Sequence, residues 1–141
     1  MRQLSILRVV SSLLIPYILL FGLYVQFHGD FGPGGGFQAG VIFAAGIILY
    51  GLVFGLDAAR RVAPPAVVER IVAAGLLLYA GTGVGAMLMG GNFLDYGAYT
   101  PDHRSHGQHW GIFTIELGVG LTVTAVMITI FYCFAGRRRA R

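Results

Sequence analysis

Charge is scarce in this sequence: Asp, Glu, Lys and Arg together make up 11% of its 141 residues, against about 25% in an average soluble domain. An ordinary soluble fold is excluded on that ground. Lysine is missing altogether, and the ten basic residues are all arginine. The single cysteine, Cys133, rules out an internal disulfide, a thiolate-bound iron–sulfur cluster and a Cys-rich structural zinc site, since each needs several sulfurs. Its ordinary role is that of a small apolar side chain near a helix end. Ten arginines over six acids leave a net charge of +4, which would suit nucleic acid only if the arginines shared a face, and they do not cluster that way. Apolar surface abounds instead, with 56% hydrophobic residues and 22 glycines and a mean hydropathy of +0.73. These values describe a small integral membrane protein.

Crossing a hydrocarbon layer of roughly 30 Å takes about 20 mainly apolar residues. Charge-free windows of that length lie at 9–27, 37–56 and 71–90, and a fourth at 111–135 carries one acid, Glu116. Lipid offers the backbone no hydrogen-bond partners, so each window must be helical. The sequence therefore predicts an all-α membrane protein with four transmembrane helices, at about 9–27, 37–56, 69–90 and 111–135, in one domain spanning 1–141 with a basic tail at 136–141. The first window has Pro16 at its middle and no small-x-small cleavage site after it, so it is expected to stay in the mature protein rather than act as a secretory signal. Pro16 removes a helical hydrogen bond and frees the Ser12 carbonyl, which predicts a mild kink beside the Ser11 and Ser12 hydroxyls.

The arginines report orientation. Nine of the ten precede the first span, border the second connection or follow the fourth span: Arg2, Arg8, Arg60, Arg61, Arg70, Arg137, Arg138, Arg139 and Arg141. Only Arg104 lies on the opposite side, so the positive-inside rule puts both termini and the 57–70 connection in the cytoplasm. With Asp57 and Glu69 counted, that side carries +7; Asp30, Asp95, Asp102 and Arg104 leave −2 outside, and Glu116, when ionised, adds −1 within the membrane. The tail also suits anionic lipid head groups, at about 1 kcal/mol per residue near the surface.

Small residues recur at a spacing of four: Gly36, Gly40 and Ala44, then Gly51 and Gly55, and later Gly81 and Gly85. That spacing lines one helix face with minimal side chains and lets a neighbouring helix approach closely. A seam for partner subunits and packing within the four-helix unit both satisfy it. Between the first two spans, His28, Gly29 and Asp30 lead into Pro33, Gly34, Gly35, Gly36, Phe37 and Gly40. Pro33 interrupts any helix, and the glycines open backbone conformations closed to other residues. The expected product is a tight link that delivers exposed amides to the start of the second helix, either to face an ion or substrate group or to seat a neighbouring subunit. No strand precedes these glycines, as a nucleotide fingerprint would need. Thr82, Gly83, Val84 and Gly85 lie inside an apolar helix and lack the rest of a potassium filter.

All four histidines, His28, His103, His106 and His109, fall on the external side. Successive steps of three drift around a helix, so the last three do not define a metal site, and no metal, haem or other cofactor is expected. Their charge is the sharper reading: around the unperturbed histidine pKa of about 6.5, protonating all four turns the external charge from −2 to +2. Ordinary loop hydrogen bonding is the competing role. Glu116 lies five residues past Gly111, about 8 Å along the helix axis, shallower than the midplane at about 15 Å. An acid at that depth either serves an ion or proton path or bonds a neighbouring helix. Thr114, Thr122 and Thr124 share its face only in part.

The run Gly29, Asp30, Pro33, Gly34, Gly35, Gly36, Phe37 and Gly40, preceded by a helix carrying Pro16 and opening a second apolar helix, resembles the B subunit of Mrp-type multisubunit Na+/H+ antiporters, the MnhB/MrpB family. The likeness covers nearly the whole chain in its length, its spans, the polar loop before the last helix and the basic end. It implies a non-enzymatic subunit of the cell membrane, without cofactors, that works only with other Mrp-type subunits in a hetero-oligomer. There the larger A and D subunits carry the principal proton channels, and Na+ and H+ are the ions exchanged. A similar subunit occurs in membrane-bound hydrogenase-type complexes, and an equivalent structural role there is the alternative. Small multidrug transporters also have four helices and one membrane glutamate, but they resemble dual-topology dimers with weak arginine bias and the acid in the first helix. Here the bias is nine to one and the acid is in the fourth span. A scaffold that never touches an ion stays open beside the antiporter role.

Overall fold

The computed structural model describes residues 2–29, 34–100 and 104–137. Asp30, Pro33, Asp102, His103 and the arginines beyond Arg137 lie outside the described residues. The chain forms α1 (Arg2–Phe27), α2 (Gly36–Phe54), a short α3 (Leu56–Val62), α4 (Pro65–Leu88), a 3₁₀ turn at Tyr96–Tyr99, and α5 (Arg104–Arg137). Four of them, α1, α2, α4 and α5, are long and apolar enough to cross a membrane.

Several helices outrun the apolar windows, because the backbone hydrogen-bond ladder does not stop where hydropathy falls. α1 begins at Arg2 and α5 begins at Arg104. α2 ends two residues sooner than hydropathy predicts, since Gly55 adopts φ +98, a left-handed conformation that other residues enter only with strain. The apolar run continues past this point as α3, an amphipathic helix with Ala59 buried and Asp57, Arg60 and Arg61 exposed. Arg60 lies over the Tyr132 ring at 5.8 Å, and the Tyr132 hydroxyl donates to the Ala63 carbonyl at 2.9 Å. Pro65 then opens α4 in the first turn, where a missing N–H leaves no bond unmade.

α1 packs on α2, α2 on α5, and α5 on α4. Small side chains make these contacts possible. Gly46 receives Leu19, Gly22 receives Phe43, Gly40 lies under Gly120 and Val123, and Gly51 receives Phe131; an added Cβ would stand 2.8–3.0 Å from the nearest of these neighbours. Most of the four-residue spacing is thus occupied within the chain, whereas a Cβ on Gly81 would meet nothing within 4 Å. The buried cluster of Ala44, Ala59, Val68, Ala125, Ile128 and Tyr132 ties α2, α3, α4 and α5 together. Outward the molecule is apolar, as a helix bundle in lipid must be: Leu13, Tyr17 and Leu20 of α1 are 63–66% exposed. Thr114, Thr122, Thr124 and Thr129 each donate to the carbonyl four residues earlier at 2.7–2.8 Å. Ser12 does the same to Arg8 at 2.8 Å, and α1 runs through Pro16 as one helix.

Candidate functional site

The end of α1 turns back on itself. The Val25 carbonyl accepts hydrogen bonds from His28 N at 3.4 Å and Gly35 N at 3.3 Å, which draws the glycine loop against the helix end. Gly35, with φ +131, then leads into α2, and no side chain of its own caps that helix. The first amides of a helix lack carbonyl partners and carry partial positive charge. Glu116 of α5 comes in at this place from the side. Its carboxylate overlaps the position a Cβ on Gly29 would take, and its Oε1 stands 3.0 Å from where a Gly35 Cβ would be. A Cβ on Gly36 would collide with the Glu116 backbone carbonyl. The glycines at 29, 35 and 36 therefore serve one end: they admit the half-buried acid and its backbone between the end of α1 and the start of α2. An anion beside a helix N-terminus is favoured there by about 0.3–2 kcal/mol. One turn deeper, Thr124 Oγ1 also donates to the Gly40 carbonyl at 3.2 Å, fixing the register of α2 on α5.

The segment between α4 and α5 is held by aromatic side chains laid on glycines. Phe93 covers Gly83, the Tyr99 hydroxyl meets Gly85, and Tyr96 covers Gly111. The Tyr99 hydroxyl donates to the Thr82 carbonyl. Asp95 accepts from Gly97 N at 3.2 Å, so this acid caps its own turn. Burial pushes the Tyr96 phenol above its ordinary pKa of 10.0, and the neighbouring Tyr79 and Tyr99 add to that rise.

His28 is half-buried and stacks on Tyr24, with ring centroids 5.1 Å apart. His106 and His109 are exposed on the first turns of α5, where His109 meets Trp110 edge-on at 6.1 Å. Among the described residues, no three His, Cys, Asp or Glu side chains gather where they could hold a metal ion. The structure brings Gly29, Gly35, Gly36 and Glu116 together, seats Gly34 against Val25, puts Gly40 a turn deeper, and leaves Phe37 61% exposed beside them. Sequence reasoning treated the loop and the acid as separate features. It also passed over Gln26, a buried carboxamide lying against Gly120, whose only signal is a polar side chain in the otherwise apolar last turn of α1.

Apolar helices of membrane-spanning length, with small residues at their contacts and an acid docked under a glycine loop, define a multi-pass helical membrane protein. The family described as a domain related to the MnhB subunit of Na+/H+ antiporter matches residues 6–129. Similar proteins include three described as candidate antiporter subunits mnhB2. That of Staphylococcus haemolyticus is 31% identical over 137 residues, covering 93% of this chain and 94% of its own. The Staphylococcus epidermidis protein is 30% identical over 135 residues, covering 94% and 95%. The Staphylococcus aureus protein, from strain Newman, is 33% identical, also covering 94% and 95%. The chain belongs to the MnhB family.

Proposed function

We propose that this chain is a non-catalytic subunit of a hetero-oligomeric monovalent cation/proton antiporter in the cell membrane, exchanging Na+ for H+ together with other subunits. The family membership supports the complex, and the arginine asymmetry of nine to one supports cytoplasmic termini. The driving force is the proton gradient, with no covalent step.

Within that complex the glycine loop and Glu116 form the element that carries this subunit's own contribution. The observation behind this is the acid's position beside the start of α2, where Gly35 offers no capping side chain. As a carboxylate, Glu116 is attracted to the partial positive charge of that helix end; protonated, it loses the attraction. The fit of the loop at a subunit junction thus follows the proton occupancy of Glu116, and the exposed Phe37 beside it is available for a partner to cover. The test is expression of the whole complex with and without this chain. A tagged chain is expected to co-purify with larger many-helix subunits, and omitting it is expected to abolish exchange in inside-out vesicles. Exchange at full rate without the chain would refute the proposal.

A further inference from the structure

A cavity of about 220 Å³ lies where α1, α2, α4 and α5 meet, below the glycine loop. Its walls are mainly apolar, with Phe43 of α2, Ile71 of α4, and Leu117 and Leu121 of α5, and Leu23 and Phe27 form an exposed rim on α1. Two polar side chains reach it, Gln26 and Thr124. The single proton of the Thr124 hydroxyl is shared between the Gly120 carbonyl at 2.7 Å and the Gly40 carbonyl at 3.2 Å, so its donor is in use. Gln26 differs. It is 7% exposed, its Oε1 rests against Gly120, and its Nε2 is buried without a hydrogen-bond partner. A buried donor left unmade costs about 1–3 kcal/mol, which is reason to look for the acceptor that completes it.

The chemistry of the lining selects that acceptor. A Na+ ion needs several free oxygens, and here the unengaged group is an N–H donor. A water cluster needs two to four polar partners per molecule, and apolar cavities stay dry. A flexible apolar chain ending in a carbonyl satisfies both features. Gln26 sits in the last turn of α1, and the contacts of Gly29 and Gly36 with Glu116 put the ends of α1 and α2 level with that acid, nearer the outer edge of the span than a count from Gly111 suggests; the ester carbonyls of lipid lie just beyond the hydrocarbon layer. From there the cavity follows α5 from Leu117 to Thr124, about 10 Å along the axis toward the membrane interior. We propose that this cavity is a lipid site: one acyl chain of a membrane phospholipid enters past Leu23 and Phe27, and its ester carbonyl accepts the hydrogen bond of Gln26 Nε2. The inference is independent of the role given to Glu116.

The test is photolabelling of the assembled complex in vesicles of phosphatidylethanolamine and phosphatidylglycerol, with a phosphatidylglycerol that carries a diazirine in its acyl chain. Labelled peptides are mapped by mass spectrometry. The site predicts labelling of residues 117–124 several-fold above that of the exposed face of α1 around Leu13 and Tyr17. Gln26→Leu, which keeps the side chain's bulk and removes the donor, is expected to lower it about threefold to tenfold. Leu121→Trp fills the cavity and is expected to abolish it; should that variant fail to assemble, Gln26→Leu decides. Equal labelling of both faces, or labelling indifferent to Gln26→Leu, overturns the proposal. Labelling seen in the isolated full chain and absent from the complex also overturns it, since a partner polypeptide then fills the cavity.

Discussion

The glycines of this chain are ordered by what they must admit. Gly36 carries the start of α2 against the backbone of Glu116, and Gly29 and Gly35 make room for the carboxylate itself. Gly81 faces open space. Gly36→Ala should therefore push α2 away from α5 and lower the stability of the purified chain by about 1–3 kcal/mol, the usual cost of overpacking. Gly81→Ala should leave thermal unfolding of the isolated chain unchanged or slightly raised, since alanine is the better helix former by about 1 kcal/mol. Thermal melts in detergent compare the two. Equal losses would contradict the packing described here. The run of glycines was visible in the sequence, and so was the intramembrane acid. Their meeting was not, because it depends on the register of α5 against α2, which the Gly40–Thr124 hydrogen bond and the Gly36 contact set between residues far apart in the chain.

Elements were legible where hydropathy alone decides them. The four spans follow from windows long enough to cross a bilayer, and the helices found there are apolar enough to do so. The break after Phe54 was hidden, because Leu56 continues the apolar run and the φ of Gly55 leaves no mark on composition. The segment joining α4 to α5 was also opaque. Composition marks it only as a polar loop before the last helix, whereas Phe93, Tyr96 and Tyr99 seat it on glycines of both helices. The raised phenol of Tyr96 gives this segment a pH signature. Its folded-state pKa lies above the unfolded value, so its contribution to stability is whole below pH 10 and is lost as pH rises through the raised value. Ultraviolet titration of the phenols should lose a component lying above the ordinary tyrosine range in Tyr96→Phe. A variant titration identical to the parent would mean that Tyr96 is an ordinary exposed tyrosine.

At the scale of the molecule, the arginine asymmetry predicts a charge of +7 on the cytoplasmic side and −2 on the other, an orientation that single cysteines can test. In a Cys133→Ser background, Asn92→Cys should react with a membrane-impermeant maleimide in intact cells, and Arg137→Cys should react only in inside-out vesicles. The opposite pattern would invert the topology. What remains distinctive is that one acid in a spanning helix sits beside the start of another, between glycines that make room for it. The most direct test is Na+/H+ exchange by the assembled complex carrying Glu116→Gln, with subunit content checked on native gels. The variant should assemble as the parent does and exchange about tenfold more slowly, the effect of losing a charge–dipole attraction near 1.4 kcal/mol. Full assembly with exchange at the parental rate would contradict the account, because the charge of Glu116 would then be dispensable.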